Sequence, residues 1–297
     1  MNREGANPIG FVVIDKPSGL TSHACVARLR RCLGTRRIGH GGTLDPAVTG
    51  VLPLAVGPAT RLLPYLPGAK TYVGSIQLGR RTSSDDLDGD LLEERPWPRL
   101  SHADLNQRLD AFRGTIQQRP PQVSAVHVDG VRAHTRARRG ETMDLLPREV
   151  RIDRLTLLDW DPDSGELTLE VHCSAGTYIR SLARDLGEQL GCGGCLARLR
   201  RLQALGFSID QAAPLPLDAT SATPPLIAPQ LALQDRPTRI TTAAEVEDWR
   251  CGRRLSLDPE IAAGPVVVLA PDGRMLGLGL HEPPGSLRPK VVFDAQG

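Results

Sequence analysis

The 297-residue chain is 40% hydrophobic and 24% charged, with 30 Gly and 25 Pro, which excludes a disordered or fibrous protein and allows a sizeable core in one or two domains. Its 36 basic and 34 acidic residues leave a net charge of +2, which by itself gives no reason to expect an acidic partner. No run of about 18 apolar residues occurs and the segment MNREGANPIG lacks a signal-peptide core, so a soluble, unexported, cytoplasmic protein without a membrane partner is expected.

Along the chain, apolar alternation predicts a strand at Phe11–Ile14, then a helix over Ser22–Leu33 and a strand over Thr71–Leu78. A helix over Ser101–Arg113 opens with Ser101-x-x-Asp104 and carries Leu105, Leu109 and Phe112 on one face. Strands at Val150–Leu158 and Glu166–Cys173 are joined into a hairpin by the turn Asp161–Gly165, and a third helix spans about Tyr178–Leu190. Without a regular strand-helix-strand rhythm, these elements predict an α+β fold. Its sheet is expected to be mixed and mostly antiparallel, flanked by helices.

The Pro-rich stretch from Pro214 to Pro237 reads as a connector on the surface. It separates a domain over 1–235 from a small β barrel over 238–297, with a helix at Thr242–Arg250 and strands at Val266–Ala270, Met275–Leu280 and near Lys290–Phe293. Six cysteines are too few for a disulfide framework. Cys192-Gly-Gly-Cys195 has redox or metal spacing, but no second pair completes a ligand set, so no metal is expected.

Charge is unevenly placed. From Ser22 to Ser84 the chain holds nine basic residues and one acid, Asp45, for a local charge of +8 against −6 elsewhere. Further arginines cluster at Arg132, Arg136, Arg138 and Arg139, and at Arg198, Arg200 and Arg201. Basic patches on a nearly neutral chain are the footprint of a protein that docks a polyanion, although a merely solvated face has the same pattern. A lone carboxylate in such a field, in Gly39-His40-Gly41-Gly42-Thr43-Leu44-Asp45-Pro46, suits nucleophilic or electrostatic work. Taken alone, the same segment is also an ordinary turn.

Six motifs in order lift that ambiguity: Asp15-Lys16-Pro17-Ser18-Gly19-Leu20-Thr21-Ser22; the Gly39–Gly50 loop; Lys70-Thr71-Tyr72 leading to Leu78-Gly79-Arg80-Arg81-Thr82; Pro120-Pro121 with Ser124-Ala125; Cys173-Ser174-Ala175-Gly176-Thr177-Tyr178-Ile179-Arg180; and Leu199-Arg200-Arg201. With them the chain resembles the TruB-type tRNA pseudouridine synthases, which isomerise the uridine at position 55 of the tRNA T-loop. The resemblance implies the pseudouridine synthase fold, an RNA-gripping insertion near 118–147 and a PUA-like C-terminal RNA-binding domain. It also implies an isomerisation that needs no cofactor and no protein partner, performed by a monomer on a flipped-out nucleotide of the T-arm stem-loop. By the same resemblance Asp45 starts cleavage of the C1′–N1 bond, as nucleophile or as base, and Arg180 aims it. Tyr72 stacks on the uracil and handles the C5 proton, Tyr178 and Leu199 contact the base, and His40 fills the gap the uridine leaves. Arg28, Arg31, Arg136, Arg138, Arg139, Arg200 and Arg201 are the expected backbone contacts.

The chain departs from the family pattern at Val123, His127, His134 and Cys195, none of them an expected catalytic residue. Two other readings remain open: an RNA-binding or tRNA-folding protein without catalysis, and a guide-RNA-directed synthase. An N-glycosidase, which normally needs a second carboxylate, fits less well.

Overall fold

The structure, a computed structural model, describes residues 8–124, 126–128, 131–133, 136, 139–141, 143–216, 218 and 222–293, without the side chains of 127, 128, 131 and 132. Its strands are β1 Gly10–Lys16, β2 Ile38–His40, β3 Thr49–Val56, β4 Lys70–Leu78, β5 Arg80–Thr82, β6 Leu91–Glu94, β7 Gly114–Gln118, β8 His127–Val128, β9 Val131–Arg132 and β10 Arg148–Asp161. They continue with β11 Glu166–Cys173, β12 Gly194–Ala204, β13 Phe207–Ser208, β14 Ala213–Pro214, β15 Thr238–Ile240, β16 Leu255–Ser256, β17 Gly264–Leu269, β18 Met275–Glu282 and β19 Ser286–Val292. The helices are α1 Ser22–Leu33, α2 His102–Arg108, α3 Ile179–Gln189 and α4 Ala243–Arg250. No helix of the described residues is long and apolar enough to cross a membrane.

Ten strands form one sheet in the order β14-β1-β3-β12-β4-β11-β10-β7, with β13 and β2 beside β12 and β3. The β14–β1 and β3–β12 pairs are parallel and the others antiparallel, as the α+β reading anticipates. Strand β11 alternates as expected: Leu167, Leu169, Val171 and Cys173 are buried, and Thr168, Glu170 and His172 are partly exposed. Helix α1 begins where Thr21 accepts from the Ala24 amide and ends at Gly34 in the left-handed region (φ 62°). The predicted helix over 101–113 is instead α2 followed by a 3-10 turn over Leu109–Phe112, but it still buries Leu105, Leu109 and Phe112.

The middle of the sheet is apolar on both faces. In β1, Val12 and Ile14 enter one core with the inner faces of α1 and α3, while Phe11 and Val13 enter a second. That second core is shared with the five-stranded sheet β15-β17-β18-β19-β16, through Val267, Met275, Leu278 and Val291. The opposite face of the smaller sheet packs Val266, Val268, Leu276 and Leu287 around the fully buried Trp249 of α4, whose indole donates to the Leu276 carbonyl at 3.1 Å. The Pro-rich connector does more than lie on the surface: Ile227 exchanges two backbone hydrogen bonds with Phe11 (2.7 and 2.8 Å), and Leu233 is buried in the shared core.

Candidate active site

Asp45 crests the loop between β2 and β3. Its neighbours Leu44 and Val48 sink into the first core, and its carbonyl accepts from the Val48 amide at 3.1 Å, which turns the carboxylate outward between two apolar anchors. On α1, Ser22 Oγ accepts from the Leu44 amide (2.9 Å) and donates to the Leu44 carbonyl (3.2 Å). The Pro46 carbonyl accepts from the Gly19 amide at 2.9 Å and from Lys16 Nζ at 3.0 Å. Lys16 is fully buried and also donates to the carbonyls of Pro17 (2.9 Å) and Leu20 (2.6 Å). Burial pushes its pKa down, with Cys25 and Asp45 opposing the shift. The segment from Asp15 to Ser22, a motif with no assigned role in the sequence, is thus the frame of the Asp45 loop. The far end of the loop closes on β12: Gly50 has φ 102°, and a Cβ there would lie 2.2 Å from the Arg201 carbonyl.

Arg180, in the first turn of α3, reaches this loop from the other side. Its Nη2 lies 3.0 Å from Asp45 Oδ2 and donates to the Val123 carbonyl at 2.9 Å; its Nη1 donates to the Ser84 carbonyl at 3.0 Å and stands 3.5 Å from Asp86 Oδ2. The Arg180 side chain is 8% exposed and that of Asp45 47%, so a rigid, desolvated guanidinium holds a carboxylate that solvent and substrate can reach. The start of α3 is fixed by Gln118 at the end of β7. Its buried amide accepts from the Tyr178 N–H (2.8 Å) and donates to the Tyr178 carbonyl (3.1 Å). Neither Gln118 nor Asp86 stands out in the sequence, because their partners lie 60 and 94 residues away.

A cavity of about 540 Å³ opens above this pair, within the roughly 300–1,000 Å³ range of small-molecule sites. Asp45, Arg180, Leu199, Asp86, Ser75 and Val73 are among its lining. Gly74 makes room for Leu199, whose Cδ1 would lie 2.8 Å from a Cβ there. Tyr72 is not on the wall. It is buried in the first core just behind, where burial pushes its pKa up and the nearby Arg201 pulls it down. Tyr178, half-buried, packs against Val126, Ala133, Met143 and Leu145 of the insertion, and its pKa is likewise raised by burial. The fields of Asp45 reach both hydroxyls.

His40 stands off the cavity, edge-on to His23 at 5.1 Å, with its Nδ1 buried and unbonded. Burial, His23 and Arg201 all push its pKa down. The unfolded chain therefore takes up this proton at higher pH than the folded protein, so the stability is full above the ordinary histidine value of about 6.5 and is lost progressively below it. Thermal melts between about pH 7 and about pH 5 should show a steeper acid loss for the wild type than for His40→Gln, and parallel curves would contradict this account.

The structure redistributes the expected basic contacts. Arg31 is exposed on α1 and Arg28 partly so. Arg200 lines the cavity and forks onto Asp15 (2.7 and 3.0 Å). Arg136 is half-buried, 3.9 Å from Glu141, and Arg139 is exposed. Arg138, like Ala125 and His134, lies outside the described residues, as do the side chains of Arg132 and His127. Arg201 corrects the sequence reading: its side chain is fully buried, donating to the carbonyls of Val51 (2.8 Å) and Gly42 (3.2 Å), so it cannot meet an RNA backbone at the surface. The +8 stretch is also narrower in space than in sequence, because Arg80 and Arg81 pair with Glu94 (2.8 Å) and Glu93 (3.0 Å) across the β5–β6 hairpin. Cys192 and Cys195 are buried, and burial pushes the Cys195 thiol up to about 11, far from a redox-active thiolate.

A family model described as the TruB family pseudouridylate synthase N-terminal domain matches residues 30–179. A protein named tRNA pseudouridine synthase B from Parasynechococcus marenigrum (strain WH8102) is 68% identical over 293 residues, covering 98% of this chain and 99% of the relative. Its namesake from Synechococcus sp. (strain WH7803) is 64% identical with the same coverage. Among solved structures, a chain of an H/ACA ribonucleoprotein bound to a substrate RNA containing 2′-deoxyuridine superposes with a TM-score of 0.70 at 24% identity, covering 96% of this chain and 84% of the other. A chain of a Cbf5-Nop10-Gar1 complex gives 0.71 at 24% identity, covering 98% and 90%. The fold is therefore that of the pseudouridine synthases, and with relatives this similar along almost its whole length the chain belongs to the TruB family of pseudouridylate synthases.

Proposed function

We propose that this enzyme converts the uridine at position 55 in the T-loop of tRNA to pseudouridine, with Asp45 initiating cleavage of the C1′–N1 bond. The observation that carries the reading is an accessible carboxylate, clamped by a buried arginine, beneath a cavity large enough for one nucleoside. The full-length similarity to proteins named tRNA pseudouridine synthase B supplies the substrate class.

Asp45 either attacks C1′ or removes a sugar proton. The freed uracil turns and C5 bonds to C1′, either displacing the Asp45 carboxylate from its ester there or adding to the unsaturated sugar, which takes back the proton Asp45 removed; the C5 proton then leaves as the ring double bond returns, and N1 ends protonated. Carbon, nitrogen and oxidation state balance without a cofactor. C1′ and C5 are not both reachable in a stacked loop, so the uridine must flip into the cavity, where Leu199 receives the base and Tyr72 stands just behind the wall. Exposed arginines on α1 and Arg136, Arg138 and Arg139 of the insertion hold the phosphates of the T-arm. Residues 1–235 are the catalytic domain and 238–297 a PUA-like RNA-binding domain, working as a cytoplasmic monomer.

A T-arm stem-loop transcript carrying tritium at uridine C5, incubated without any guide RNA or second protein, should release the label from the one T-loop uridine. Replacing that uridine by cytidine should abolish release. Release that survives the replacement would refute the position, free uracil would point to a glycosidase, and no release at all would leave an RNA-folding protein.

A further inference from the structure

Arg201 is a guanidinium with no outlet to solvent and no carboxylate partner among its hydrogen bonds. Nε is taken by the Val51 carbonyl and Nη2 by the Gly42 carbonyl, while Nη1 is buried and has no hydrogen-bond partner at normal distance among the described residues. A buried donor left open costs stability, so it asks for a reason. The β4–β12 register supplies one: Arg201 is the direct cross-strand partner of Tyr72, so both side chains leave the same face of the sheet, close enough to interact electrostatically. Arg201 is not part of the cavity wall, so it has no direct access to substrate.

We propose that Arg201 is a positioning residue for Tyr72, its free Nη1 holding the phenol oxygen as an acceptor when the flipped base loads the site. This rests on the function proposed above. A guanidinium has only donors, so the oxygen it holds must accept from it, and the phenolic O–H is left to point at a different acceptor. Hydrogen bonds in unloaded sites are often long and tighten only with substrate, which is how an open donor at rest becomes a closed one in the complex. Arg201 is itself held to the Asp45 loop through Gly42, so seating the loop and seating the phenol are one event. Besides Arg201, the titratable groups facing Tyr72 are Cys173 at the end of β11 and Asp45; those sensing Arg201 are Tyr72, Lys16, Lys70 and His40.

The test compares Arg201→Lys and Arg201→Gln with wild type in single-turnover tritium release from the T-arm transcript, each also in a Tyr72→Phe background. Arg201→Gln should lower the rate by about 10²-fold with RNA affinity within about twofold, and Arg201→Lys should recover part of it. The pH at which Tyr72 ionises, read by ultraviolet titration of the three tyrosines and assigned with Tyr72→Phe, should rise in Arg201→Gln. In the Tyr72→Phe background Arg201→Lys should cost much less than it does in the wild type, leaving only the loss of its hold on the Asp45 loop. Additive losses in that cycle, which does not depend on the glutamine variant folding, or an unmoved Tyr72 titration in a folded Arg201→Gln, would overturn the proposal. A wild-type protein that releases no tritium would instead overturn the function on which it rests.

Discussion

Asp45→Asn should abolish tritium release from the T-arm transcript, by on the order of 10³-fold or more, while leaving RNA binding and the thermal midpoint nearly unchanged. Asparagine has the size of aspartate but can neither attack C1′ nor accept a proton as a carboxylate does. Arg180 keeps its other partners in the variant, Asp86 and the carbonyls of Ser84 and Val123, so the clamp does not collapse. Asp45 is also half solvent-exposed, so its neutralisation leaves no unpaired charge in the interior. Full activity in Asp45→Asn would reject the assigned role. Intact binding with no activity would separate the enzyme from an RNA chaperone that shares the same basic faces.

Lys16→Met should be the most damaging change outside the cavity. It takes a fully buried ammonium away from the three carbonyls that share it, those of Pro17, Leu20 and Pro46. Removing a buried charged donor from neutral acceptors costs about 2–4 kcal/mol, partly offset because the ammonium no longer has to be desolvated. For a chain of this size that lowers the melting midpoint by roughly 3–6 °C. Because the Pro46 carbonyl is one of the three, the residue after Asp45 loses its tether and the carboxylate drifts. Misplacement by about 1 Å is worth on the order of 10² in rate. Scanning calorimetry and single-turnover release at a temperature where both proteins are folded separate the two effects. A destabilised but fully active Lys16→Met would show that Ser22 and Gly19 hold the loop unaided.

The two variants mark how the site divides between what is local and what is assembled. Asp45 was legible because it is the one acid in a run of 63 residues, and Arg180 because its motif ends in a recognisable order. Strand β11 and the turn before it follow from strict alternation, which a sheet with one buried face imposes on its own residues. Strand β3 was hidden by Pro53, which argues against a strand interior but sits in β3 opposite Val13. Strand β12 was hidden by Arg198, Arg200 and Arg201, whose charges mask an apolar pattern. It nevertheless lies at the centre of the ten-stranded sheet, between β3 and β4.

By itself, then, the sequence determined the hairpin, the helix caps, the one available carboxylate and the α+β character, since each depends on spacing within a few residues or on a simple count. Only the tertiary structure decided what each charge does. It buried Arg201 behind Tyr72, neutralised Arg80 and Arg81 against Glu94 and Glu93, gave Arg180 a second carboxylate in Asp86, and made Lys16 a staple for Pro46. A guanidinium or ammonium has the same formal charge wherever it stands in the chain. Whether it meets phosphate, carboxylate or a buried carbonyl depends on which segment, tens or hundreds of residues away, the sheet brings against it.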